Sequence, residues 1–149
     1  MKYISGLYAL NIPDPTEQTT GDWHWGALDW THIPLYETQG SLYGDYGIRR
    51  DAKVPHAPGN ARYNVANHIR ALLDMLVAGQ FGLAGGMRDD FICNDALTPE
   101  VFNKVWQLRH AANWPQIDKF MGSEYFMQWE DYKDGRTHTT TAATQGPHS

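Results

Sequence analysis

With one cysteine, Cys93, in 149 residues, the chain can close neither an intrachain disulfide nor a thiolate zinc site. That usage fits a reducing cytoplasm. Long apolar runs are missing too: nothing approaches the roughly 20 residues of a bilayer-spanning helix. The opening MKYISGLYALNIPDP reaches Pro13 and Asp14 too early for a secretory signal. A soluble, cytoplasmic bacterial or viral protein with no membrane association is the expectation. Positive charge is scarce, with 12 Lys and Arg against 17 Asp and Glu, a formal charge of -5. This argues against a sequence-independent grip on nucleic-acid phosphates and suits a basic partner better. No nucleophile elbow, HExxH pair or dinucleotide-binding glycine fingerprint occurs, and the histidines at 24, 32, 56, 68, 110, 138 and 148 match no zinc or metalloprotease spacing. Neither a cofactor, a metal ion nor a catalytic set is expected from motifs.

What the chain has in abundance is aromatic rings: six Trp, eight Tyr and five Phe, which can close a core or anchor a contact. Residues 64–95, NVANHIRALLDMLVAGQFGLAGGMRDDFICND, organise the rest. Val65, Ile69, Leu72, Leu73 and Leu76 fall at offsets 0, 4, 7, 8 and 11, the apolar stripe of a helix facing a core. At roughly 1.5–3 kcal/mol per buried aliphatic side chain, that stripe rivals the net stability of a small domain before ordering entropy is subtracted. Its start is expected at Asn60 or within 62–64, and its end at Gly79 or Gly82.

Before it, residues 2–12 read as a buried strand ended by Pro13 and Pro15. Residues 33–37 and 41–48 read as two short strands or a strand and an extended loop, and 49–60 as a surface loop. After it, 83–95 is a connector in which Phe91 and Ile92 return to the core. Thr98, Pro99 and Glu100 open a helix whose inner face is Val101, Val105 and Leu108. Asn113, Trp114 and Pro115 open another, ending near Met121 and Gly122, and 125–132 alternates like a last strand. The expectation is an α+β fold: one compact domain over 1–133, with a small mixed or antiparallel sheet packed against a central amphipathic helix and two shorter helices. Residues 134–149 would form a flexible Thr-rich tail.

Three constellations could carry function. GDWHWGALDW sets His24 between Trp23 and Trp25, with Asp22, Asp29 and Trp30 nearby. A carboxylate and an imidazole can act as a base pair or as metal ligands, and an indole can stack a nucleobase; a plain aromatic cluster whose His and Asp satisfy turn amides explains the stretch better. On the central helix, Asn67, His68 and Arg70 sit at or beyond the border of the stripe, as a solvated face or as the lining of a partner groove. In GGMRDDFICND the glycines resemble an anion cradle, but the P-loop lysine and hydroxyl are missing and Asp89 and Asp90 would repel phosphate. A cation held by Asp89, Asp90, Asn94 and Asp95 matches no calcium-loop spacing, so turn and cap roles suit them better. Arg88 is the residue there expected to pair with a carboxylate.

The series ISGLYALNIP, TTGDWH, GDYGI, VANHIRALLDML, GMRDDFICND and WPQIDKFMGSEY followed by Trp129 resembles a group of short uncharacterised bacterial proteins. These are encoded beside nucleotidyltransferase-like toxins of the abortive-infection type, and the resemblance spans residues 3–132. It implies an antitoxin-like protein or inhibitor that neutralises a protein partner by direct contact. Its contact residues would be Asp22, Trp23, His24, Trp25, Asp29, Trp30, Asn67, His68, Arg70, Arg88, Asp89 and Asp90. The competing expectation is a small enzyme or nucleotide-binding protein using His24 with Asp22 or Asp29 and Arg88. A phage-encoded inhibitor of host defence would share the physics of the first.

Overall fold

The computed structural model describes residues 1–14, 28–59, 61–90, 92 and 94–144, with 89, 90 and 137–144 described by backbone alone. In chain order the elements are β1 (Lys2–Tyr3), α1 (Gly6–Leu10), β2 (Tyr36–Glu37), β3 (Ile48–Lys53), β4 (Arg62–Ala66) and α2 (His68–Val77). They are followed by α3 (Phe81–Ala84), α4 (Met87–Asp90), a 3₁₀ turn (Asp95–Leu97), α5 (Thr98–Trp106), α6 (Trp114–Tyr125) and α7 (Met127–Thr144). The fold is α+β, as the patterning implies.

The strands form two antiparallel ribbons, β1 with β2 and β3 with β4. One parallel pair, Ile4 beside Val65, stitches them together, with Ile4 N–H donating to Asn64 O and Ala66 N–H to Ile4 O, both at 2.8 Å. The strand order is therefore β2-β1-β4-β3. Against this sheet lies α2, whose Ile69, Ala71, Leu72, Leu73, Met75 and Leu76 are buried and which also touches α1, α3 and α5. Val101, Val105 and Leu108 point inward from α5 and its exit, as their spacing implies. Phe102, Trp114, Tyr125, Trp129 and Tyr132 complete a second, aromatic half of the core, in which Trp129 and Tyr132 stack at 5.6 Å. Among the described residues no helix is long and apolar enough to cross a membrane.

Local structure departs from the periodicity at identifiable breaks. The expected strand over 2–12 stops after Ile4, because Gly6 takes φ +58° and turns the chain into α1. Of the expected strands at 33–37 and 41–48 only Tyr36–Glu37 and Ile48 pair. Residues 41–47 wind through turns closed by Gly44 N–H to Ser41 O and Tyr46 N–H to Tyr43 O. The expected loop at 49–60 is strand as far as Lys53, and 62–66, read as the helix start, is its partner strand. α2 begins instead at Asn67, whose Oδ1 accepts from Arg70 N–H at 2.8 Å, and it ends at the left-handed Gly79, φ +76°.

The connector at 83–95 is partly helical and returns Ile92 to the core; Phe91 lies outside the described residues. Asn94, rather than Thr98, caps the turn leading into α5, its Oδ1 accepting from Ala96 N–H at 3.0 Å. α6 runs past Met121 to Tyr125, and the expected last strand at 125–132 is helical. Phe126, at φ 53° and ψ -126°, is a corner between two helices, so Tyr125 and Trp129 are buried from different helices and only mimic a period of two. α7 continues to Thr144, and within it Arg136 Nη2 donates to Asn103 Oδ1 at 2.7 Å.

Candidate functional site

An amphipathic helix brings residues i and i+4 to one face; on α2 that places Arg70 above Asp74, with Nε donating to Oδ1 at 3.1 Å. Arg70 is fully buried. A guanidinium has five N–H donors, and every one is used: Nη1 donates to Gly44 O and Tyr46 O, both at 2.8 Å, and Nη2 to Tyr3 Oη at 3.0 Å and Ser41 Oγ at 3.1 Å. The rings of Tyr3 and Tyr43 lie 5.0 and 5.7 Å from its central carbon. Asp74 Oδ2 in turn accepts from Tyr3 Oη at 2.7 Å and Ser5 Oγ at 2.6 Å. One buried ion pair thus ties β1, the turn segment 41–47 and α2 together.

Above this network opens a cleft of about 610 Å³. Tyr3, Tyr36 and Tyr43 form its aromatic floor, Asp74 and Glu37 contribute carboxylates, and Gln107, His110 and Asn113 close the far side. Leu42 and Val77, 61% and 55% exposed, flank it. Among the described residues no lysine or arginine lines it.

Each carboxylate of the cleft already faces a cation, Asp74 the Arg70 guanidinium at 3.1 Å and Glu37 the N-terminal ammonium at 2.5 Å. Burial raises the Tyr36 phenol above its ordinary pKa, and the Asp74 charge adds to that effect. Tyr3 and Tyr43 are raised further, by burial first and then by Asp74, with Arg70 opposing. Glu37 stays ionised, held down to about 2 by the N-terminal ammonium at 2.5 Å and by the Gln39 N–H. The Tyr36 hydroxyl makes no hydrogen bond among the described residues and is available to a ligand. Tyr43 is different, since its hydroxyl is spent on Lys104 O at 2.7 Å.

The sequence-predicted residues are dispersed. Asp22, Trp23, His24 and Trp25 lie outside the described residues. Asp29 sits in an exposed turn, accepting from Thr31 and facing His32 Nδ1 at 3.1 Å. Its neighbour Trp30 packs edge-on against Tyr8 at 5.1 Å and beside His56 at 4.8 Å. Asn67, His68 and Arg70 line no solvent-facing groove. Asn67 caps α2, and His68 is buried with Nε2 2.9 Å from Ile12 O and its N–H on Asp14. The reason is that the N-terminal segment and the turns at 41–47 fold over that face of the helix.

Arg88 lies over the Tyr125 ring at 5.5 Å and makes no ion pair among the described residues. Asp89 and Asp90 end α4, and their side chains are outside the description. Among the described residues no group of His, Cys, Asp and Glu is placed to hold a metal ion. Asp74, Tyr36, Tyr43 and Leu42, which build the cleft, were not singled out by any motif. The readable signal was the Arg70-to-Asp74 spacing of four on a helix.

Searches against known protein families, curated proteins and solved structures found no match.

Proposed function

We propose that this chain is a protein-binding module, antitoxin-like in acting by direct contact in the cytoplasm, that receives a basic side chain of its partner in the tyrosine cleft. The observation that carries this reading is the cleft's composition: three tyrosine rings and two carboxylates, with no lysine or arginine among its described lining residues. A guanidinium or ammonium entering it gains cation–π contact with the rings and charge-assisted hydrogen bonds to the carboxylates. Leu42 and Val77 offer the apolar contact that surrounds such an anchor. The formal charge of -5 adds long-range attraction toward a basic face. Of the expected tryptophan contacts, Trp23 and Trp25 lie outside the described residues, and Trp30 packs against Tyr8 at 5.1 Å and His56 at 4.8 Å, away from the cleft's lining.

The resemblance to proteins encoded beside nucleotidyltransferase-like toxins names the partner class to try first. Sizing chromatography of the two purified proteins tests it. Co-elution that Tyr36→Ala or Leu42→Asp abolishes supports the reading; separate elution at micromolar concentration, or co-elution unchanged in both variants, contradicts it.

A further inference from the structure

The β3–β4 ribbon has the opposite electrostatic character to the rest of the molecule. Across 48–66 it carries Arg49, Arg50, Lys53 and Arg62 against Asp51 alone, in a chain whose formal charge is -5. Lys53 and Arg62 are direct cross-strand partners, so their side chains leave the same face of the ribbon. Like charges so placed destabilise a sheet. Both residues are exposed, and among the described residues neither meets a carboxylate within ion-pair distance. Arg50 is 70% exposed with one loose contact, Asp45 at 3.6 Å.

Protection of a sheet edge, a common use of charge on strands, accounts for Lys53 on the outer strand β3. It does not account for a second cation opposite it on β4, which lies inside the strand order. The bulge between Arg49 and Ala52 fixes part of this surface: Asp51 N–H donates to Asn64 Oδ1 at 3.2 Å, and Asp51 O accepts from Arg62 Nη1 at 2.8 Å. Among the described residues that is the only hydrogen bond of the Arg62 guanidinium, and the residue is exposed.

We infer that Arg50, Lys53 and Arg62 form a docking surface for a short acidic segment of a protein partner. The carboxylates of such a segment relieve the Lys53–Arg62 repulsion, which the free protein retains. A long polyanion fits less well, because phosphates running beyond the ribbon meet the acidic remainder of the chain. The surface is separate from the tyrosine cleft, so either can fail without the other.

The test is fluorescence polarisation at low salt with a labelled peptide of alternating Glu and Ser, as long as β3, run alongside thermal unfolding. Wild type should bind. Lys53→Glu should weaken binding by at least about tenfold (~1.4 kcal/mol) while raising the unfolding temperature, because an attractive cross-strand pair replaces a repulsive one. Arg62→Glu should weaken binding similarly. The inference is overturned by a wild type that does not bind, by a Lys53→Glu variant that binds as well as wild type, or by an unfolding temperature that does not rise. It is also overturned if a single-stranded oligonucleotide of equal charge binds more tightly than the peptide, or if the chain self-associates at low salt in a way that Lys53→Glu abolishes.

Discussion

Arg70 and Asp74, one turn apart on α2, meet at 3.1 Å beneath the cleft, with the guanidinium fully buried and the carboxylate side chain 10% exposed. The carboxylate is the only part of the pair that solvent or a ligand reaches. Its charge is presented to the cleft, while the opposing charge is held below by Gly44, Tyr46, Tyr3 and Ser41.

Removing the buried partner should therefore unfold rather than merely perturb. Arg70→Leu leaves Asp74 and four further acceptors without their donor, and truncating one side of a buried pair costs about 3–5 kcal/mol. Urea denaturation reads this directly. Arg70→Leu with Asp74→Leu should lose less than the sum of the two single variants, since the stranded carboxylate is gone. A loss under about 1 kcal/mol for Arg70→Leu would remove the network from the account.

Gly47 holds the turn segment against the start of α2. Its φ is +74°, and a Cβ there would sit 2.8 Å from Arg70 Cβ and 2.9 Å from Asn67 Oδ1. Gly79 has nearly the same φ, +76°, and open space around it. Gly79→Ala should cost about 1–2 kcal/mol, the penalty of left-handed backbone alone, and Gly47→Ala distinctly more. Equal unfolding midpoints for the two variants would contradict the close approach.

Alkaline stability follows from the tyrosines. Tyr3, Tyr43 and Tyr46 are all raised by burial, with Asp74 or Glu100 adding to the effect. The unfolded chain releases these protons near the ordinary value of about 10, and the folded chain only above it. Their contribution is therefore intact below about pH 10 and is lost as pH rises beyond it. The urea midpoint should fall above that pH, and the absorbance of the eight tyrosines should show a late group that ionises only as the fold is lost. A single common titration would refute this.

The central helix was legible because Ile69, Leu72, Leu73 and Leu76 repeat at helical spacing and nothing interrupts them. The turn chemistry of Gly79 was legible for the same reason: its effect is local. Val65 shows the limit, since it continues the helical stripe in sequence but is buried from β4, its direction set by pairing with Ile4 and Arg49. The site was less legible still. Tyr3, Tyr36, Tyr43 and Asp74 come from β1, β2, a turn and α2, and only the wrapping of 41–47 over the helix makes them neighbours. Asp74 is not part of the helix's apolar stripe, and no sequence period describes the loop that covers it.

The central claim is that the cleft takes a cationic side chain of a partner. An amide-resolved NMR titration with an end-blocked peptide bearing one arginine tests it most directly. The account predicts saturable shifts concentrated over 36–43, 74–78 and 107–113, lost in Tyr36→Ala. Shifts absent at millimolar peptide, confined to other segments, or undiminished in that variant would contradict it.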